Sequence, residues 1–204
     1  MQKIDFKKEF KHLYRPSARK ISVVDAPPMP FLMIDGQGDP NMAQAYADAI
    51  ETLYAVAYTL KFMSKKQLAR DYAVMPLEGL WWTPDMADFS IGDKDAWLWT
   101  AMIMQPHWID AGMAAAAKEV AGKKKVLPAL SKLRFEIFHE GLAAHILYIG
   151  PFADEGPTIA RLHAYIAENG CRLAGKHHEI YLSDPRRTAP EKLKTVIRQP
   201  MRAA

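Results

Sequence analysis

The chain has 204 residues, of which half are hydrophobic and a quarter are charged, a balance typical of globular proteins that excludes a disordered one. The formal charge of +4 comes from lysines and arginines scattered along the chain, whereas duplex binding needs a continuous basic face, so we expect no direct nucleic-acid partner. The single cysteine, Cys171, excludes an internal disulfide and a metal cage built of thiolates.

The N-terminal segment and the hydropathy of the chain predict a cytoplasmic protein. Residues 1–20 are charged and lack the apolar core of a signal peptide. The sequence contains no run of about 20 apolar residues, the length that a membrane-spanning helix needs. We therefore expect no membrane partner.

The first half of the chain predicts two strands, one helix and two further strands. Apolar runs indicate the strands, and apolar residues at helical spacing indicate the helix. The predicted elements are strands at 21–24 and 31–35, a helix from about 41 to 62 capped by Asn41, and strands at 72–82 and 96–105 around a polar loop.

The second half repeats this order. Its predicted elements are strands at 133–139 and 144–149, a helix at about 154–168 ended by Asn169-Gly170, and strands at 172–183 and 194–198. Local landmarks match as well: residues 33–36 with 147–150, Glu78 with Glu179, and Gln105-Pro106 with Gln199-Pro200. Such self-similarity indicates a duplicated unit.

This repetition predicts an α+β fold of duplicated strand-helix-strand-strand units, whose antiparallel sheets surround a central ligand cleft. We expect one domain over 1–204, with repeat 1 at about 18–106, a linker containing a short helix at about 107–130, and repeat 2 at about 131–201. Each helix would cover one sheet face, and the opposite sheet surfaces would face the shared groove. Pockets tend to form at such interfaces.

Two carboxylates stand inside apolar, aromatic strands, and they are the candidate catalytic acids. Alternation along a strand places Glu78 beside Trp82 and Glu179 beside Tyr181. Burial of an ionised carboxylate is costly unless a cation, a proton or a structural partner compensates it. Either acid can therefore serve a ligand or a structural ion pair, and the sequence does not say which one is the pocket acid.

Aromatic residues near these acids are the candidate ligand-binding side chains. Tyr54 and Tyr58 are four residues apart and share one helix face. Trp82 shares a face with Glu78, which favours Trp82 for the groove and Trp81 for the core, and Tyr148 is a third catalytic candidate, as a phenol donor. The ligand-binding candidates are Tyr54, Tyr58, Trp82, Trp81, Tyr181 and Phe152.

The histidines predict no metal site, and we expect no cofactor. No pair of histidines has a metalloprotease spacing, and His177 and His178 are consecutive strand residues that face opposite ways. Gly36-Gln37-Gly38 is followed by Asp39-Pro40, which favours a turn over a phosphate-binding loop.

Four segments together resemble the GyrI-like small-molecule-binding family. They are Met33–Pro40, Leu53–Lys61, Met75–Trp82 and Glu179–Pro185, and the resemblance extends from about Pro16 to Met201. It implies a duplicated strand-helix-strand-strand fold, known as the SHS2 duplication, with a cleft for bulky, amphipathic aromatic ligands. In the multidrug-responsive regulators of this family, an acidic residue in an aromatic pocket receives lipophilic cations. The resemblance matches that acid to Glu179, and Glu78 is the other candidate.

The resemblance implies more than one function. Some relatives are multidrug-sensing domains of transcription regulators, some inhibit DNA gyrase, and some stand-alone members are hydrolases of cyclopropane-containing alkylating compounds. Only some 15 to 20 residues precede the first repeat, too few for a helix-turn-helix domain. We expect a binder of hydrophobic or cationic aromatic compounds, either monomeric or homodimeric, that detoxifies them by sequestration or hydrolysis. The alternative is a protein-interaction module acting on gyrase or on a transcription regulator.

Overall fold

The computed structural model describes residues 2–84 and 94–204. Most of the predicted polar loop, residues 85–93, lies outside the described residues. The elements of the first half are β1 (Lys3–Ile4), α1 (Phe6–Glu9), α2 (Lys11–Tyr14), β2 (Ser22–Ala26), β3 (Met29–Gln37), α3 (Gln44–Gln67), β4 (Asp71–Tyr72), β5 (Glu78–Trp82) and β6 (Leu98–Met104). Those of the second half are α4 (Ala111–Lys124), β7 (Arg134–Phe138), β8 (Gly141–Ile149), α5 (Gly156–Glu168), β9 (Cys171–Leu173), β10 (His177–Tyr181) and β11 (Lys194–Ala203).

The predicted α+β class is confirmed, with local corrections. Asn41 does not cap α3, because the N-cap residue is Ala43, which makes no side-chain capping bond. The predicted strand at 72–82 is two strands, β4 and β5, and the segment between them contains Pro76, which has no backbone donor for a ladder. The predicted strand at 172–183 is likewise interrupted near Gly175, whose φ is +58°.

The large sheet is antiparallel, and its strands follow the order β2-β8-β11-β10-β5-β6-β3-β7, with β9 paired to β11. β2 pairs with β8 from Ser22 opposite His145, and β3 pairs with β7 as far as Met33 opposite Arg134. Both pairings keep one register, so β2–β3 and β7–β8 act as two long, bent strands. Their shared ladder curls the sheet into a half-barrel.

The order β8-β11-β10 on one side of the sheet centre repeats β3-β6-β5 on the other side. The central pair is therefore β5 with β10, one strand from each half. The residue bounds that the sequence assigns to the two repeats and the linker stay predictions.

The register of the central pair corrects one landmark. Gly79 lies opposite Glu179, and Glu78 lies opposite Ile180, so the two acids project from opposite faces of the sheet. The landmarks that equate Met33 with Leu147 and Gln105 with Gln199 make Glu78 equivalent to Ile180. The match of Glu78 with Glu179 is wrong by one residue, and in a strand that slip exchanges the two faces.

The long helices α3 and α5 pack on the same face of the sheet. α3 contacts β3 and β6, and α5 contacts β8 and β11. Their buried residues recur every three or four positions: Ala49, Leu53, Val56 and Leu60 on α3, and Leu162 and Ile166 on α5. The central strands β5 and β10 are left uncovered between them. The groove thus lies on the helix-bearing face, and the expectation that the opposite sheet surfaces would form it is wrong.

Candidate functional site

A cavity of about 880 Å³ lies over the central strands, between α3 and the start of α5. Seven of its lining residues are Tyr, Trp or Phe, and both helices and both central strands contribute to it. A volume of this size suits a ligand as large as a drug molecule. It is larger than a second cavity, of about 300 Å³, whose lining includes Leu80 and Phe138.

Alternate residues of β10 form the floor of the cavity. His177, Glu179 and Tyr181 line it, whereas His178 and Ile180 point to the other side. The Tyr181 hydroxyl donates to Glu179 Oε2 at 2.7 Å, and His177 Nε2 lies 3.2 Å from Glu179 Oε1. Burial acts to raise the pKa of Glu179, but His177 and the Tyr181 hydrogen bond outweigh it and lower that pKa. Glu179 is therefore held as a carboxylate.

Trp81 covers the neighbouring part of the floor. Its Nε1 donates to the Tyr181 hydroxyl at 3.1 Å. A Cβ at Gly79 would lie only 2.7 Å from that Nε1, so the glycine opposite Glu179 leaves the space that the indole fills. The sequence Glu78-Gly79-Leu80-Trp81 encodes this placement locally.

Aromatic rings continue up the walls. The ring centroid of Trp81 lies 5.6 Å from that of Tyr46 on α3 and 5.5 Å from that of Trp97. Phe152 meets Tyr181 edge-on at 5.5 Å. Tyr54 and Tyr58 extend the surface along α3, and 48% of Tyr58 is exposed. The cavity therefore combines aromatic rings with the ionised Glu179 on its floor, and charged residues such as Lys94 and Arg186 also line it.

A second acid, Glu155, lines the cavity next to Glu179, and the sequence reasoning missed it. Glu155 immediately precedes α5, is 3% exposed, and lies close enough to Glu179 for a hydrogen bond between the carboxyl groups. Burial raises the pKa of Glu155 to about 9, with a further contribution from the Glu179 charge. No motif marks Glu155, because an acid at the start of a helix is common on any protein surface.

Glu78 belongs to a separate cluster on the other face of the sheet, which we call the buried ion network: Tyr14, Glu78, Glu140, His178 and Arg198. Glu78 accepts from the Tyr14 hydroxyl at 2.8 Å and lies 3.0 Å from His178 Nε2. His178 Nδ1 contacts Glu140 at 2.8 Å, and Arg198 donates to Glu140 at 2.9 Å. Glu78 is thus outside the cavity wall, because its strand face points away from the helices.

The pKa values of this network follow from its ion pairs. Burial alone would lower the pKa of His178, but the carboxylates of Glu140 and Glu78 outweigh it and raise that pKa to about 9. Burial alone would raise the pKa of Glu140, but His178 and Arg198 lower it to about 2. The two cations and two carboxylates therefore balance one another.

Two further candidates also lie outside the cavity wall. Trp82 faces the side opposite to Trp81, where the Lys176 ammonium lies 3.2 Å from its ring centroid. The sequence favoured Trp82 for the groove because Trp82 shares a strand face with Glu78. Since that face points away from the cavity, Trp81 and not Trp82 lines the groove. Tyr148 packs beside α5, and its hydroxyl donates to the Pro151 carbonyl at 3.0 Å. The candidates that the structure brings together in the cavity are Glu179, Tyr54, Tyr58, Trp81, Tyr181 and Phe152.

Over residues 2–84 and 94–204, no three His, Cys, Asp or Glu side chains are grouped so that they could hold a metal ion. In the same ranges, no helix has the length and hydropathy needed to cross a membrane.

Comparison with protein families now identifies the chain. The model of the GyrI-like small molecule binding domain matches residues 19–202. The chain belongs to this family. It is therefore a small-molecule binding domain, as the resemblance predicted. A comparison with curated proteins found no relative.

Solved structures agree with this GyrI-like assignment. An uncharacterized conserved protein from Listeria innocua is 44% identical, with a TM-score of 0.90 over 98% of this chain and 100% of the other. A hydrolase from Listeria innocua is 42% identical, with a TM-score of 0.88 over the same shares. The C-terminal domain of EcmrR is only 10% identical, with a TM-score of 0.56 over 91% of this chain and 98% of the other, and it shares the fold alone.

Proposed function

We propose that this GyrI-like chain binds bulky hydrophobic or cationic aromatic compounds in the cavity, in the cytoplasm, and detoxifies them by sequestration or by hydrolysis. The single observation that carries this proposal is the Glu179 carboxylate held on a floor of aromatic rings. A cation over an aromatic face gains roughly 0.5 to 2 kcal/mol per contact. A buried carboxylate adds attraction that a neutral ligand cannot use.

Hydrolysis of a cyclopropane-containing alkylating compound is the catalytic form of this proposal. Glu179 would accept a proton from a water molecule whose oxygen bonds to the strained ring carbon. The carbon–carbon bond of the ring breaks, its electron pair moves to a conjugated carbonyl oxygen, and that oxygen takes a proton, so the net change is addition of water. The hydrolase from Listeria innocua, 42% identical over 98% of this chain, supports this form.

The phenol expected to assist this reaction is not Tyr148, whose hydroxyl is bonded to Pro151 outside the cavity wall. Tyr181 is the phenol in the right place, since its hydroxyl contacts both Glu179 and the Trp81 indole. It orients the carboxylate, and we propose it as a positioning residue.

Titration with tetraphenylphosphonium, a lipophilic aromatic cation, tests binding. We expect saturable quenching of tryptophan fluorescence, and at least tenfold weaker binding by Glu179→Gln. Glu168→Gln, which removes the same charge from the exposed end of α5, is the matched control and should bind like the wild type. Absence of saturable binding by the wild type would overturn the proposal and favour a protein-interaction role.

Mass spectrometry of a cyclopropane-containing alkylator after incubation tests hydrolysis. The expected result is a product heavier by one water with the wild type and not with Glu179→Gln. An unchanged compound, or equal water addition by the variant, would restrict the function to sequestration.

A further inference from the structure

The two carboxyl groups of the cavity differ in their hydrogen-bond partners. Glu179 has a donor on each oxygen side, the Tyr181 hydroxyl on Oε2 and the His177 ring on Oε1. Glu155 Oε1 is buried and has no hydrogen-bond partner within residues 2–84 and 94–204. A carboxylate is stabilised by donors, so the negative charge belongs on Glu179.

The closeness of the Glu155 and Glu179 carboxyl groups determines how many protons the two groups hold together. Two buried carboxyl groups in contact cannot both ionise cheaply, and such pairs share one proton. Glu155 keeps that proton, because its Oε1 has no donor among the described residues whereas both oxygens of Glu179 have one. The pKa of Glu155, raised to about 9 mainly by burial and also by Glu179, agrees with this assignment.

We propose that Glu155 and Glu179 form a proton-sharing carboxyl pair, and that a cationic ligand displaces the shared proton when it enters the cavity. This inference rests on the proposed function, and it adds the charge chemistry of the same site. A cation next to the pair favours the second carboxylate, so the ligand exchanges its charge for that of the proton. A neutral aromatic ligand offers no such compensation and leaves the proton in place.

The consequence is a pH-dependent affinity for cations. Below the pKa of Glu155, each cation bound must release about one proton, so affinity rises about tenfold per pH unit. Above that pKa the carboxyl is already ionised, and affinity becomes independent of pH. For neutral ligands no such rise is expected.

Several other groups around Glu155 carry or can carry charge, and they must be separated from it. β10 contributes Glu179, His177 and Tyr181, β8 contributes Tyr148, and the segment before Trp97 contributes Lys94. On its own segment Glu155 has Asp154 as a neighbour. A Glu155→Gln variant keeps all of these groups and removes only the proton in question.

Isothermal titration calorimetry in two buffers of different ionisation enthalpy measures the number of protons released. With tetraphenylphosphonium at pH 7.5, we expect about one proton released per cation by the wild type and by Asp154→Asn, an exposed neighbour of Glu155. We expect none from Glu155→Gln, and none from the wild type at pH 10. Triphenylphosphine oxide, a neutral aromatic ligand, should release none from any variant.

The outcomes separate this inference from the proposed function. Saturable cation binding without proton release, or equal release by Glu155→Gln, would overturn the carboxyl pair and leave the binding function intact. Equal release with triphenylphosphine oxide would also overturn it, because displacement would then depend on volume and not on charge. Failure of the wild type to bind either ligand would overturn both.

Discussion

The two faces of the central strands β5 and β10 each carry buried acids, and the two groups are built in opposite ways. In the buried ion network, Glu78 and Glu140 are matched by His178 and Arg198, and the ion pairs are 2.8–3.0 Å long. In the cavity, Glu155 and Glu179 lie together, and Glu155 Oε1 has no hydrogen-bond partner among the described residues. The first group has a counter-charge for each carboxylate, although Arg198 Nε has no hydrogen-bond partner among the described residues, and the second leaves a place for a cation.

A shifted pKa value alone does not distinguish a functional group from a structural one. His178 and Glu155 both have a pKa near 9, yet His178 is surrounded by its counter-charges whereas Glu155 is not. Structural ion networks perturb pKa values as strongly as functional sites do. We propose that unbalanced charge beside a cavity marks the functional acid, whereas balanced charge marks the structural one.

The largest expected effect comes from breaking the buried ion network. Glu140→Gln leaves the Arg198 and His178 cations with one carboxylate fewer in a buried place, and loss of one partner of a buried pair costs about 3–5 kcal/mol. Urea denaturation at pH 6 measures the free energy of unfolding. Glu179→Gln in the cavity is the contrasting variant: its amide oxygen still accepts from Tyr181 and the repulsion with Glu155 is removed, so we expect a smaller loss of about 1–2 kcal/mol. Equal losses would contradict the distinction between the two groups.

The pH dependence of stability follows from the same groups. The folded-state pKa of His178, about 9, exceeds its ordinary value of 6.5, so its contribution is complete below pH 6.5 and is lost as pH rises through 9. The pKa of Glu140, about 2, is below its ordinary 4.5, so its contribution is complete above pH 4.5 and is lost as pH falls through 2. We expect the highest urea midpoint between about pH 4.5 and 6.5. A midpoint that stays constant up to pH 9 would contradict this.

Glu155→Gln should stabilise the protein while it abolishes proton release. The pKa of Glu155 is raised from 4.5 to about 9, so unfolding is favoured increasingly as pH rises between those values. Replacing the acid by a neutral amide removes this cost, for an expected gain of about 1–3 kcal/mol at pH 7. Urea denaturation at pH 5 and pH 8 measures it. A gain that does not grow with pH would show that the buried charge is not its cause.

The smallest expected effect separates two adjacent tryptophans. Trp81 lines the cavity and Trp82 lies on the other face, so Trp81→Phe should reduce the amplitude of quenching by tetraphenylphosphonium, whereas Trp82→Phe should preserve it. Both changes keep an aromatic ring, so each removes less buried volume than alanine would. Titration of both variants at one pH gives the comparison. A larger loss of quenching amplitude with Trp82→Phe would mean that the ligand binds on the sheet face opposite to the cavity, which would contradict the proposed site.

The fold was largely predictable, because hydrophobic periodicity reports which residues form strands and helices. The helix pattern is evident from residues such as Leu53, Val56 and Leu60 on α3, and the family from the resemblance of four segments. The breaks near Pro76 and Gly175 were not predicted, although proline and glycine are the residues that interrupt a strand.

The site was predictable only in part, for a geometric reason. Glu179 and Tyr181 were placed correctly on one face because alternation along a single strand fixes it, whereas the sequence favoured Trp81 for the core. The sequence could not tell which of Glu78 and Glu179 faces the cavity. A shift of register by one residue exchanges the two faces of a strand, and only the observed strand pairing fixes the register. Glu155 approaches Glu179 through the packing of α5 on the sheet, a contact that no local pattern of residues encodes.

The pairing of β5 with β10 makes the cavity floor a product of both halves of the chain. Trp81 and His177 are aligned across this pair, so the contact that completes the floor joins segments almost a hundred residues apart. Closing such a long loop costs conformational entropy before any ligand-binding surface exists. The cavity should therefore be among the last parts of the molecule to form during refolding, and a fragment containing only one half would have no binding site.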